Sequence, residues 1–76
     1  MSSQKIIKRS VRIARHNTSI SLEQAFWDEL KQMALQQKCS LNQLVAKVDA
    51  EHVGNLSSAL RVFVLTELQL ALGRPK

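Results

Sequence analysis

A mostly helical domain with one N-terminal β-strand, built as a homodimer, is the fold class that three features of this 76-residue chain predict. Residues 17–23 (Asn-Thr-Ser-Ile-Ser-Leu-Glu) alternate as a half-buried strand does, with Thr18, Ile20 and Leu22 on one face and Asn17, Ser19 and Ser21 on the other. Three later stretches carry apolar residues at helical spacing, each introduced by a capping residue. The last of them is apolar around nearly its whole circumference. A lone strand leaves a row of backbone N–H and C=O groups unpaired, and one small domain cannot cover an all-round apolar helix, so both features require a second chain. The expected assembly is a homodimer with an antiparallel two-stranded ribbon across its axis, one strand from each chain.

Residues 1–16 read as a basic N-terminal arm and residues 17–76 as the domain. Residues 1–4 are expected to fray, and residues 5–9 are too basic to pack. Val11 and Ile13 are odd-numbered, whereas Ile20 and Leu22 are even-numbered, so one continuous regular strand cannot bury both pairs. A bend or bulge near residues 14–16 is therefore expected if both pieces pack. A hairpin within the chain is the rival and ranks second, because Ala-Arg-His-Asn lacks the glycine-rich chemistry of tight turns.

The first helix is expected to start around residues 22–24, with Ser21 and Gln24 placed as a capping box. Phe26, Trp27, Leu30, Met33 and Ala34 form its apolar stripe. Residues 36–39 break that stripe, and Ser40 with Gln43 repeats the capping signature for a second helix buried through Leu41, Leu44, Val45 and Val48. Gly54 marks its stop. Asn55 caps a third helix over residues 56–72, ended by Gly73 and Pro75, in which Leu60, Val62, Phe63, Val64, Leu65, Leu68, Leu70, Ala71 and Leu72 point in nearly every direction.

Charge narrows the function. The net +5 lies entirely in residues 1–17, which carry Lys5, Lys8, Arg9, Arg12 and Arg15 and no acid, while the remainder balances six basic groups against six acidic ones. A basic segment beside a small polar strand face suits duplex DNA, with phosphate contacts around groups that address base edges in the major groove. The alternative is a solubilising tail beside a solvated sheet face. No apolar run approaches a membrane span, nothing marks secretion, and the single cysteine, Cys39, fits a reducing compartment, so a cytoplasmic location without membrane attachment is expected. Neither a catalytic site nor a cofactor or metal site is expected, since there is no phosphate loop or nucleophile with a placed base, and His16, His52 and Cys39 match no zinc spacing.

The order strand, capped helix, short turn, capped helix resembles the ribbon-helix-helix family of bacterial DNA-binding proteins, the Arc and CopG kind. The carriers are Thr-Ser-Ile-Ser-Leu-Glu (18–23), Phe-Trp-Asp-Glu-Leu (26–30), Met-Ala (33–34) and Ser-Leu-Asn-Gln-Leu-Val (40–45). Residues 54–65 look like a subgroup with an additional C-terminal helix. The resemblance implies an obligate intertwined dimer with its ribbon in the major groove. Asn17, Ser19 and Ser21 would then read bases, and the start of the second helix, Ser40, Leu41 and Asn42, would grip phosphate; from the basic segment itself, Arg12 and Arg15, with His16 beside Asn17, are expected to add phosphate contacts. Ile20, Leu22, Trp27, Leu30, Val45 and Phe63 would form the dimer core. Two positions depart from the family pattern. Asn17 stands where Arg or Lys is frequent, which favours adenine over guanine. Lys38 stands where glycine is common, which costs about 1 kcal/mol if the turn needs a left-handed residue there.

The function expected is therefore a sequence-specific, dimeric transcriptional regulator that occupies an operator, with further assembly on double-stranded DNA left open. The rival is a protein-interaction module, an antitoxin-like partner whose third helix docks another protein.

Overall fold

The computed structural model describes residues 5–73. Residues 1–4, expected to fray, and Pro75, expected to help end the last helix, lie outside them. The order is β1 (Ile6–Ile13), β2 (His16–Glu23), α1 (Gln24–Gln36), α2 (Leu41–Glu51) and α3 (Leu56–Ala71). The segment expected as a basic arm is thus mostly a second strand. It pairs antiparallel with β2 in a register that sets Ile13 opposite His16 and Ile6 opposite Glu23. The expectation of a single strand is corrected to two, and the architecture is a two-stranded antiparallel ribbon followed by three helices, the third being the additional C-terminal one.

The parity conflict disappears in this register. Cross-strand partners share a face, and each odd residue of β1 sits opposite an even residue of β2, so Val11 and Ile13 reach the same core as Ile20 and Leu22. The connection is a two-residue turn, Ala14 at φ 50° and Arg15 at φ 71°. Positive φ at both central residues is what the right-handed twist of a tight hairpin demands. Glycine and asparagine meet that demand readily, and this chain meets it with neither.

The helices follow their sequence signals closely. In α1, Trp27, Leu30, Met33 and Ala34 are buried, and Phe26 packs at the margin. The expected Ser21–Gln24 capping box is absent. Ser21 stays in β2, Glu23 is the N-cap without a side-chain cap bond, and the Gln24 N–H donates to the Lys5 carbonyl at 3.2 Å, which ties the helix start to the opening of β1. After Gln36 the chain closes with Lys38 at φ 57°, its N–H donating to the Leu35 carbonyl and that of Cys39 to the Ala34 carbonyl. This is a Schellman closure built on lysine, as the departure from glycine implied. The box opening α2 is complete: Gln43 N–H donates to Ser40 Oγ at 3.0 Å and Ser40 N–H to Gln43 Oε1 at 2.8 Å. Asn55 caps α3 by accepting from Ser58 N–H at 3.0 Å.

The core lies between the inner face of the hairpin and the three helices. Trp27, Ile20, Leu22, Leu30, Leu44, Leu60, Val45 and Val64 are fully buried there. Five residues expected in a dimer core (Ile20, Leu22, Trp27, Leu30 and Val45) are therefore covered by the chain's own elements, and Phe63 is partly buried against the same cluster. Trp27 fixes the hairpin from below: its Nε1–H donates to the Ile7 carbonyl at 2.9 Å, and the Arg9 guanidinium lies 5.4 Å from the ring centroid. That distance is within cation–π range, and the aliphatic stem of an arginine can cover apolar surface. Arg9 thus occupies an inward position opposite Ile20, where an apolar residue would be expected.

Candidate nucleic-acid interface

Register decides which side chains the hairpin turns outward. Lys8 faces Ser21, Ser10 faces Ser19, and Arg12 faces Asn17, and these three cross-strand pairs share the face opposite Val11, Ile20 and Leu22. Of the six, all are exposed except Ser21, which is half-buried. The sequence-predicted trio Asn17, Ser19 and Ser21 is brought together as expected. Sequence reasoning misses Lys8, Ser10 and Arg12 as members of that face, because a basic run hides the strand β1. Alternation of Ile7, Val11 and Ile13 is the signal that could find them, obscured by Arg9 in the inward series.

The hairpin carries Lys8, Arg9, Arg12 and Arg15 against a single acid, Glu23. That acid is drawn aside. Arg61 of α3 donates from Nε to Glu23 Oε1 at 2.9 Å and reaches the Ser21 carbonyl at 3.5 Å. The Arg61 hydrogen bond holds the Glu23 carboxyl below its ordinary range, helped by the local backbone. Glu23 therefore stays ionised with its charge matched by α3, and the outward face toward the turn has no acid to repel phosphate.

The other expected phosphate ligands occupy separate places. Arg15 is exposed in the turn, and His16 is exposed beside it, opposite Ile13. Ser40, Leu41 and Asn42 open α2, where Ser40 and Asn42 are exposed and Leu41 half-buried. Ser40 Oγ is already engaged by Gln43 N–H, whereas the first backbone N–H groups of a helix have no intrahelical partner and can meet an anion.

Among the described residues, no group of three His, Cys, Asp or Glu side chains lies close enough to hold a metal ion, and no helix is long and apolar enough to cross a membrane. An open apolar groove is lined by Phe26, Arg61, Val62, Val64, Leu65 and Leu68. It lies on the exposed side of α3, where Val62, Leu65 and Leu72 are 63%, 55% and 70% exposed.

A hairpin with a polar, acid-poor outer face, backed by three helices of which two are capped by side chains, defines a small ribbon-bearing helical domain. The profile of a ribbon-helix-helix domain matches residues 6–68, and the chain belongs to that family. Among solved structures it is similar to an uncharacterized protein from Bordetella pertussis Tohama I, with 31% sequence identity and a TM-score of 0.77. That likeness takes in 93% of this chain and 62% of the other, so this chain spans less than two thirds of the length of its structural relative. No curated protein matches the chain.

Proposed function

We propose that the chain is a sequence-specific DNA-binding transcriptional regulator, a binder without a catalytic step, that lays its β-hairpin into the major groove of double-stranded DNA. The observation that carries this reading is the outward face itself: small and amide side chains at Asn17, Ser19 and Ser21, flanked by basic groups, with the one nearby acid held by Arg61. The major groove admits a two-stranded ribbon, and amides and hydroxyls can address base edges there. Membership of the ribbon-helix-helix family supports the same reading. Arg15, His16 and the start of α2 (Ser40, Leu41, Asn42) supply phosphate contacts that position the hairpin.

The working form is a homodimer. The second copy covers the α3 face bearing Val62, Leu65, Leu68 and Leu72, where the spacing of three, three and four residues makes one stripe along the helix. The same stripe also favours the second reading, a module whose α3 docks a different protein.

Light scattering combined with fluorescence anisotropy on duplex DNA separates these readings. A dimer that binds duplex at physiological salt, converted to a folded monomer by Leu65→Glu, is the expected result. A wild-type monomer that binds no duplex at any salt would leave the interaction-module reading ahead.

A further inference from the structure

We propose that the groove between the end of α2 and the adjoining side of α3 is a docking site for a protein partner, and that its occupant is a cationic amphipathic helix. The inference goes beyond the DNA-binding reading and does not rest on it, since no residue of the hairpin lines the groove.

The groove holds about 540 Å3 between residues 48–53 on one side and α3, from its cap Asn55 to Glu67, on the other. That volume falls within the range of about 300 to 1,000 Å3 usual for sites that take a ligand. Its floor is apolar. Val48 is buried in the core and Phe63 packs against it, while Val53 and Val62 stand exposed at the margins. The apolar surface is thus continuous with the core but left uncovered by the chain, as at sites where a partner is received.

Charge selects the occupant. Glu51 and Glu67 line the groove, no lysine or arginine does, and neither carboxylate has an ion-pair partner among the described residues. Arg61, the one basic residue of α3, is drawn away toward β2 by Glu23. The only group there that can become cationic is the His52 ring, and both its nitrogens are turned to the Asp49 and Gly54 carbonyls, with the Asp49 carboxylate beside it. On a chain of net charge +5 this is a local reversal of sign. Such a surface repels phosphate and attracts ammonium and guanidinium groups, which disfavours nucleic acid and anionic lipid and favours a basic protein segment.

The walls decide the conformation of that segment. Both are helical, with backbone groups engaged in their own hydrogen bonds, so the groove has no strand edge to which an extended peptide could add. A helix arrives with its backbone already satisfied and inserts side chains at i, i+3 or i+4, and i+7. From Asn55 to Glu67 the α3 wall runs about 18 Å at about 1.5 Å per residue, the length of about three helical turns. Glu51 lies just before the start of that wall and Glu67 at its far end. The occupant therefore presents apolar residues to Val48, Val62 and Phe63, flanked at each end by Lys or Arg.

The test uses stapled peptides of about three turns, because helices this short are marginal in water, and it is run without DNA so that its outcome is independent of the DNA-binding reading. One probe carries a leucine stripe flanked by lysines, a second has glutamates for the lysines, and a third has serines for the leucines. Saturable binding of the leucine–lysine peptide is expected, with amide shifts at Val48, Val53, Val62 and Phe63, and binding about tenfold or more weaker for each of the other two. Glu51→Lys combined with Glu67→Lys, shown to be folded by circular dichroism, should weaken the leucine–lysine peptide by about tenfold or more and strengthen the leucine–glutamate one. The proposal is overturned if the leucine–lysine peptide does not bind, if the charge reversal leaves its affinity unchanged, or if its shifts fall on the hairpin. It is overturned equally if the reversal changes the oligomeric state of the peptide-free protein while no peptide binds, since the groove then belongs to a second copy of this chain.

Discussion

Among the described residues, three hold left-handed backbone without the help of glycine: Ala14 at φ 50°, Arg15 at φ 71° and Lys38 at φ 57°. Each carries a Cβ in a region where L-residues meet steric resistance. Replacing Ala14 by Asn and Arg15 by Gly supplies the pair that a type I′ turn prefers, and is expected to stabilise the fold by about 1 kcal/mol, raising the melting temperature by about 4 to 8 °C for a domain of this size. Thermal denaturation by circular dichroism reads this directly, and a double variant that melts lower than wild type would show that the two strands are not joined by this turn. His52 holds a different kind of tension, at the end of α2. Its Nδ1 lies 2.9 Å from the Asp49 carbonyl and its Nε2 2.8 Å from the Gly54 carbonyl, with the Asp49 carboxylate 3.8 Å away. A neutral imidazole has one N–H and can serve only one carbonyl, whereas the imidazolium serves both. The carbonyls of Asp49 and then Gly54 therefore raise the His52 pKa above its ordinary value, against the opposing effect of desolvation. Since the folded value lies above the unfolded one of about 6.5, the contribution is fully present below that pH and is lost as pH rises through the folded value. The stability difference between wild type and His52→Ala should accordingly shrink from pH 5.5 to pH 8.5 (roughly one unit below and two above that reference). Urea unfolding across that range checks it, and a difference independent of pH would contradict the imidazolium clip.

At the scale of elements, the α2 cap allows a prediction with two readouts. Ser40→Ala removes half of the capping box and is expected to cost about 1 kcal/mol of stability. Where both proteins remain folded, it should also lower affinity for specific and random duplex by one common factor if the α2 start grips phosphate; untouched affinity for both would remove that contact from the account. The elements differ in how openly the sequence announces them. The Ser40–Gln43 box, the Asn55 cap and the Gly54 stop are local chemistry, legible in a handful of residues, and α2 and α3 fall where those signals put them. The hairpin is not legible in the same way. Its turn uses Ala14 and Arg15 in place of glycine, and Arg9 sits on the inward face with its guanidinium over Trp27, so an alternating strand reads as a run of charge. The α1 cap fails for a tertiary reason: Glu23 is engaged by Arg61, and the Gln24 N–H is satisfied by Lys5 at the opening of β1 rather than by a local side chain. The candidate site is half legible in consequence. Asn17, Ser19 and Ser21 follow from alternation alone, whereas their β1 partners need the register.

For the whole molecule, one chain closes its own core around Trp27, and two of the surfaces it leaves uncovered differ sharply in chemistry. The hairpin turns out an uncharged polar and basic face, and α3 turns out an apolar stripe. Arg61 links them, reaching from α3 to Glu23 and the Ser21 carbonyl at the end of β2. The proposed DNA-binding surface is the outward face of the hairpin. Backbone amide chemical-shift mapping during titration with a selected duplex tests it most directly. Saturable shifts are expected, concentrated at Lys8, Ser10, Arg12, Asn17, Ser19 and Ser21 and extending to Arg15 and the Ser40–Asn42 start of α2, with the Val62–Leu65 stretch of α3 unmoved. Shifts confined to α3 with a silent hairpin, or no saturable change at all, would contradict it.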